Sequence, residues 1–164
     1  MNSGQSLLSL GALLILALTV LRVNNSIIST ETVMQDSKFG ILATSLATSL
    51  IEKASKKAFD ANTYDDAVSS LGELTSAAGL GPNVSETPDT YNDFDDYDGY
   101  SEEITNLPSA EFNIFCEVVY ISPNNPDGKL TTTSWHKKMI VSVSSPSTTD
   151  TIRLSTIYSY WHFR

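Results

Sequence analysis

Four aspartates, Asp93, Asp95, Asp96 and Asp98, fall inside YNDFDDYDGY (Tyr91 to Tyr100). Carboxylates at that density are the hard oxygen ligands that calcium takes. An EF-hand loop asks for D-x-[DN]-x-[DN]-G with glycine sixth. Counting from Asp93, Asp95 fits the third position, but Tyr97 stands fifth and Asp98 sixth. That register fails, which leaves a calcium site of another type, with Asp98–Gly99 as a turn dipeptide. The competing reading is a solvated acidic loop pinned to the body by the rings of Phe94, Tyr97 and Tyr100. Calcium at the four aspartates is the one cofactor the sequence raises.

Other reactive residue types are sparse. His136 and His162 sit in strand-like patterns, and one cysteine with two scattered histidines does not supply a zinc set. No Ser/His/Asp or Cys/His order stands out, so the expectation is a protein that is not an enzyme. Cys116 lies in an alternating apolar run and reads as a small buried hydrophobe. The net charge of −9 and pI near 4.5 argue against nucleic acid, because no basic cluster exceeds Lys56–Lys57 or Lys137–Lys138.

The elements that would position the acidic stretch read from both sides of it. LLSLGALLILALTVL (Leu7 to Leu21) carries no charge; with its flanks it reaches the lower limit of about 17 residues for a bilayer span. A secretory signal peptide fits less well: MNSGQ has no Lys or Arg, and TVLRVNNS offers no small-x-small cleavage site. No proline occurs between Met1 and Pro82. Phe39, Leu42, Ala43, Leu46, Leu50, Ala54 and Ala58 recur in steps of three and four, one face of a helix. The spacing predicts one helix of about 50 residues, apolar first and amphipathic later, with loosening at Asn24–Ser26 and Ser29–Thr30.

Beyond it, Thr63 or Asp65 could cap a short helix bearing Ala67, Val68, Leu71 and Leu74, ended by Gly79, Gly81 and Pro82. Residues 83–108 form a long acidic loop. EFNIFCEVVYIS (Glu111 to Ser122), SWHKKMIVSVSS (Ser134 to Ser145) and TIRLSTIYSYWHFR (Thr151 to Arg164) alternate as strands. NNPDGK and PSTTD are the turns between them. The fold class is α+β: a long N-terminal helix covering a small antiparallel β-meander of three strands. The aromatic run YSYWHFR would place half its rings in the core.

A short leader ending in Gly4, an apolar helix running into an amphipathic one, and a small acidic-to-β domain resemble the type IV pilin and pseudopilin superfamily. FDDYDGY is also similar to the phrase FDD-x-DDY of minor pilins of the mannose-sensitive haemagglutinin pilus type. The resemblance implies cleavage by prepilin peptidase between Gly4 and Gln5. It further implies anchoring in the bacterial inner membrane with the C-terminal domain in the periplasm. Assembly with other pilin or pseudopilin subunits would follow through the N-terminal helix, into a type IV pilus or type II secretion pseudopilus. Ser9 stands where major subunits carry glutamate, and Gln5 where phenylalanine is common, which points to a minor subunit. The implied layout is a leader (1–4), an apolar transmembrane and filament-core helix (5–23), its amphipathic continuation (24–60), a short helix with an acidic variable loop (61–110), and the sheet (111–164). The alternative is a membrane-tethered binding module that uses the acidic loop and the C-terminal aromatics.

Overall fold

The computed structural model describes residues 2–108, 110–148 and 150–160. Its first element is a single helix, α1 (Ser3–Ser55), 53 residues long. The expected loosening is not there. Hydroxyls in that region bond back to their own helix, Thr30 Oγ1 to the Ser26 carbonyl at 2.8 Å and Thr32 Oγ1 to the Ser29 carbonyl at 2.9 Å. Side chains that could compete with the helix instead donate to its own carbonyls, leaving the backbone helical. In the apolar part Ser9 and Thr19 do the same, at 2.9 Å to the Gln5 carbonyl and 2.8 Å to the Ile15 carbonyl.

The chain divides into two compact units, one up to Phe39 and one from Gly40 onward. The first is the N-terminal part of α1. Every Leu, Ile and Val from Leu7 to Val23 is exposed in it, and it contains a stretch long and apolar enough to cross a membrane. Gly4 and Gln5 lie in its first turn, with the Gln5 amide donating to the Asn2 carbonyl at 2.8 Å.

In the second unit the end of α1 packs against the sheet through Ala43, Ala47, Leu50 and Ala54. Steps of four, three and four keep these on one face. Three of the four are alanine, so the buried face of the helix is built from small side chains. The helix stops at Ser55, short of the expected residue 60, because Ala58 pairs with the acidic loop. The Ala58 amide donates to the Asn92 carbonyl at 3.2 Å, and the Phe94 amide donates to the Ala58 carbonyl at 2.9 Å.

The sheet has five antiparallel strands rather than three: β1 (Ser101–Ile104), β2 (Phe112–Ser122), β3 (Asn125–Leu130), β4 (His136–Ser144) and β5 (Ile152–Ser159). The order is β1-β2-β4-β5, with β3 also pairing to β2. β1 comes from the end of the acidic loop, where SEEI shows no apolar alternation because three of its four residues are exposed. β3 comes from the expected turn: only Pro123–Asn124 turn, and Asn125 to Leu130 fold back on β2 with a register shift between Ile121 and Ser122. Along β2 and β4 the alternation holds. Cys116 opposes Val141, Val118 opposes Met139 and Tyr120 opposes Lys137, all buried on one face.

The short helix anticipated after Thr63 does not form. Single 3₁₀ turns stand at Ala61–Thr63 and Leu71–Glu73 instead. Asp60, not Thr63 or Asp65, is the N-cap; its carboxylate accepts from the Asn62 amide while the Thr63 hydroxyl accepts from the Asp60 amide. Further on, the Glu73 carboxylate takes the Ser69 amide at 3.1 Å and the Ser70 hydroxyl at 2.7 Å, holding that stretch in a turn. Val68 and Leu74 are still buried, so the apolar residues found the core without helical spacing.

Candidate functional site

The acidic stretch is not a solvated surface loop. Asp93, Asp95 and Asp96 are each 2% exposed, and Phe94 and Tyr97 are fully buried. The aromatic half of the expectation is met: Phe94 lies 4.9 Å from Tyr158 between ring centres, and Tyr91 meets Tyr97 edge-on at 5.1 Å. The carboxylates are occupied as local caps. Asp93 Oδ1 accepts from the amides of Asp95 (2.9 Å) and Asp96 (3.1 Å), and Asp96 Oδ2 accepts from those of Asn92 (2.9 Å) and Asp93 (3.2 Å). Asp98 Oδ1 takes the Val118 amide at 2.8 Å, which ties the loop to β2. Gly99 follows with φ +74°, a conformation that suits glycine, and its amide bonds the Cys116 carbonyl at 3.0 Å.

These four aspartates do not converge on one point. Among the described residues no group of three or more His, Cys, Asp or Glu is arranged to hold a metal ion. One oxygen each of Asp93, Asp96 and Asp98 is engaged by amides, and Asp95 by a lysine.

That lysine is the centre of the buried chemistry. Lys137 is 0% exposed, in phase with Met139, Val141 and Val143 on the inward face of β4. Its ammonium donates three hydrogen bonds: to Asp95 Oδ1 at 2.6 Å, Asp60 Oδ2 at 2.8 Å and the Phe59 carbonyl at 2.8 Å. All three of its protons are thereby used. The rings of Phe59 and Tyr120 flank it, with Nζ 4.5 Å and 5.2 Å from their centres.

Asp60 is held from several sides. Besides Lys137 it accepts from the Asn62 amide, the Thr75 amide and hydroxyl (2.9 Å for the hydroxyl), and the Tyr120 hydroxyl at 3.2 Å. Burial pushes its carboxyl upward, but the Lys137 charge and the hydrogen bonds from Lys137, Asn62 and Thr75 outweigh burial and hold it below the usual carboxylate range. Asp93 goes the other way. Burial, then the charge of Asp95 and a hydrogen bond with its carboxyl, then Asp96, raise it to about 8 against the pull of Lys137. Burial raises the Cys116 thiol to about 12, which suits an inert core residue.

Asp60, Thr75, Tyr120 and Lys137 carry no sequence motif, and only one signal could have exposed them. Lys137 is the one charge in the inward phase of β4, and a buried ammonium requires buried carboxylates. Of the two histidines, His136 bonds Ser159 Oγ through Nδ1 at 2.8 Å across β4 and β5; His162 lies outside the described residues, as do Trp161, Phe163 and Arg164. Tyr158 is buried and donates to the Lys57 carbonyl at 2.9 Å, while Tyr160 stacks on Trp135 at 5.3 Å.

Comparison with protein families, with curated proteins and with solved structures gives no match. The outline, a long apolar N-terminal helix whose end packs on an antiparallel sheet, is compatible with a pilin-like fold.

Proposed function

We propose that this chain is a pilin-like subunit, anchored in a membrane by the apolar part of α1. It would assemble through that helix into a type IV pilus or a type II secretion pseudopilus. The observation that carries the reading is the exposed apolar rod, every Leu, Ile and Val from Leu7 to Val23, continuous with a helix end that packs on the sheet. Each such side chain gains about 1.5–3 kcal/mol on leaving water, so the rod requires lipid or neighbouring helices. The 18 residues Ser6 to Val23 span about 27 Å as helix, close to a hydrocarbon core. Self-bonded hydroxyls at Ser9 and Thr19 suit either setting.

The membrane-tethered binding module has less support, because Asp93, Asp95 and Asp96 are buried and serve their own loop. Mass spectrometry of the mature N-terminus tests the pilin reading. A chain beginning at Gln5 is expected, together with recovery in the sheared cell-surface fraction beside other subunits. Cleavage beyond Leu21, or a Met1 retained in a host with prepilin peptidase, overturns it.

A further inference from the structure

We propose that Lys137 and Asp95 are the two halves of an intramolecular amide bond, with Asp93 as its proton carrier and Asp60 as the group that orients the amine. The inference does not depend on the filament reading. It rests on four buried side chains brought together from three separate segments of the chain.

Nζ of Lys137 lies 2.6 Å from Asp95 Oδ1, one bond away from the carboxyl carbon. Neither partner can swing away: Lys137 is 0% and Asp95 2% exposed, and Phe59 and Tyr120 wall the amine. Such fixed, dry proximity is what turns a slow condensation between two side chains into a feasible unimolecular step.

The atoms balance without a co-reactant. One proton passes from the Lys137 ammonium to the Asp95 carboxylate along their hydrogen bond. The freed amine lone pair attacks the carboxyl carbon, forming the C–N bond and a tetrahedral centre. Asp93, whose carboxyl is raised to about 8 by burial and its acidic neighbours and whose Oδ1 lies 2.9 Å from the Asp95 amide, donates a proton to the departing hydroxyl and takes one back from nitrogen. The C–O bond breaks and one water leaves. Ammonium and carboxylate have become an amide and water, with no oxidation or reduction.

Asp60 is not the acyl partner. Its oxygens already accept from Asn62, Thr75 and Tyr120, donors that stabilise it as a carboxylate and make it a poor electrophile. The single N–H left on the amide still faces two acceptors, Asp60 Oδ2 and the Phe59 carbonyl.

The test is the mass of the full chain purified in detergent, followed by digestion. The expected result is a deficit of about 18 Da, one water, relative to the sequence from the observed N-terminus, together with a branched peptide joining Lys137 to Asp95. Lys137→Arg and Asp95→Ala each restore the full mass, and Asp93→Asn restores it in protein that still folds. Should a variant fail to fold, the branched peptide in the unaltered chain decides alone. A wild-type chain of full mass, yielding only linear peptides with a free Lys137 amine after prolonged incubation, overturns the proposal. A branch to Asp60, or a water lost without any branch, overturns it equally.

Discussion

Lys137 and Lys138 are neighbours on β4 with opposite surroundings, and replacing each by methionine is a direct measure of the buried cluster. Lys137→Met removes a cation that touches Asp60 and Asp95 at 2.8 and 2.6 Å, with side chains 0% and 3% exposed. Breaking a buried pair from one side costs about 3–5 kcal/mol, because the partner charge stays buried and uncompensated. Here two carboxylates are stranded, so the upper part of that range applies to the ion-paired form. For a unit of this size such a loss lowers the thermal midpoint by roughly 10–20 °C. Lys138→Met removes an ion pair to Asp127, whose side chain is 90% exposed. Exposed pairs contribute about 0–1 kcal/mol, or a few degrees at most. The assay is thermal or urea unfolding of the detergent-solubilised chain, followed by circular dichroism. A further variant, Lys137→Met with Asp60→Asn and Asp95→Asn, should recover part of the loss by removing the stranded charges. Equal shifts for Lys137→Met and Lys138→Met, or no recovery in the triple variant, would refute the reasoning.

The protonation of Asp93 sets a pH dependence. Asp93 faces Asp95, Asp96 and Lys137, and its folded pKa is raised to about 8, above the unfolded value of 3.8. The folded state therefore binds its proton more tightly, and the stability this gives is full below pH 4 and lost as pH rises towards 8. Asp60 has the opposite sign: its folded pKa is lowered, so its contribution is present above pH 4 and lost in stronger acid. The thermal midpoint should fall between pH 5 and pH 8, and Asp93→Asn should flatten that slope; a midpoint that rises over this window contradicts the assignment. Gly99→Ala meets no neighbouring atom but must adopt φ +74°, so a loss of about 1–2 kcal/mol is expected in urea unfolding. No loss at all would mean that the turn relaxes. Because the loop carboxylates are committed to amides and Lys137, millimolar calcium should leave the midpoint unchanged, and a clear upward shift would reinstate a metal site.

The α+β layout was legible because its periods are long and uninterrupted. The stripe through Leu50 and Ala54 reads at helical spacing, and Met139, Val141 and Val143 alternate as a strand must. What escaped the sequence was decided by side chains acting over distance. The 61–74 stretch has helical spacing, yet Asp60 and Glu73 capture its amides and hydroxyls into turns. β1 has no apolar face to announce it and exists because β2 offers a free edge at Phe112 to Phe115. The four aspartates were conspicuous, but their density said nothing of burial. One of the two acids that hold the lysine, Asp60, stands alone in sequence, 77 residues from its partner.

That separation has a mechanical meaning. Under the filament reading proposed above, tension would enter at one end of α1 and leave through the sheet. The strand that carries Lys137 is central, paired to β2 on one side and β5 on the other. Asp60 lies just past the last residue of α1, so the Lys137–Asp60 contact fastens the helix exit directly to that strand. Force applied along the chain would reach this fastening before the five-stranded ladder begins to shear. The same contact lies in the interior, where tension cannot draw water onto it until the core itself has opened.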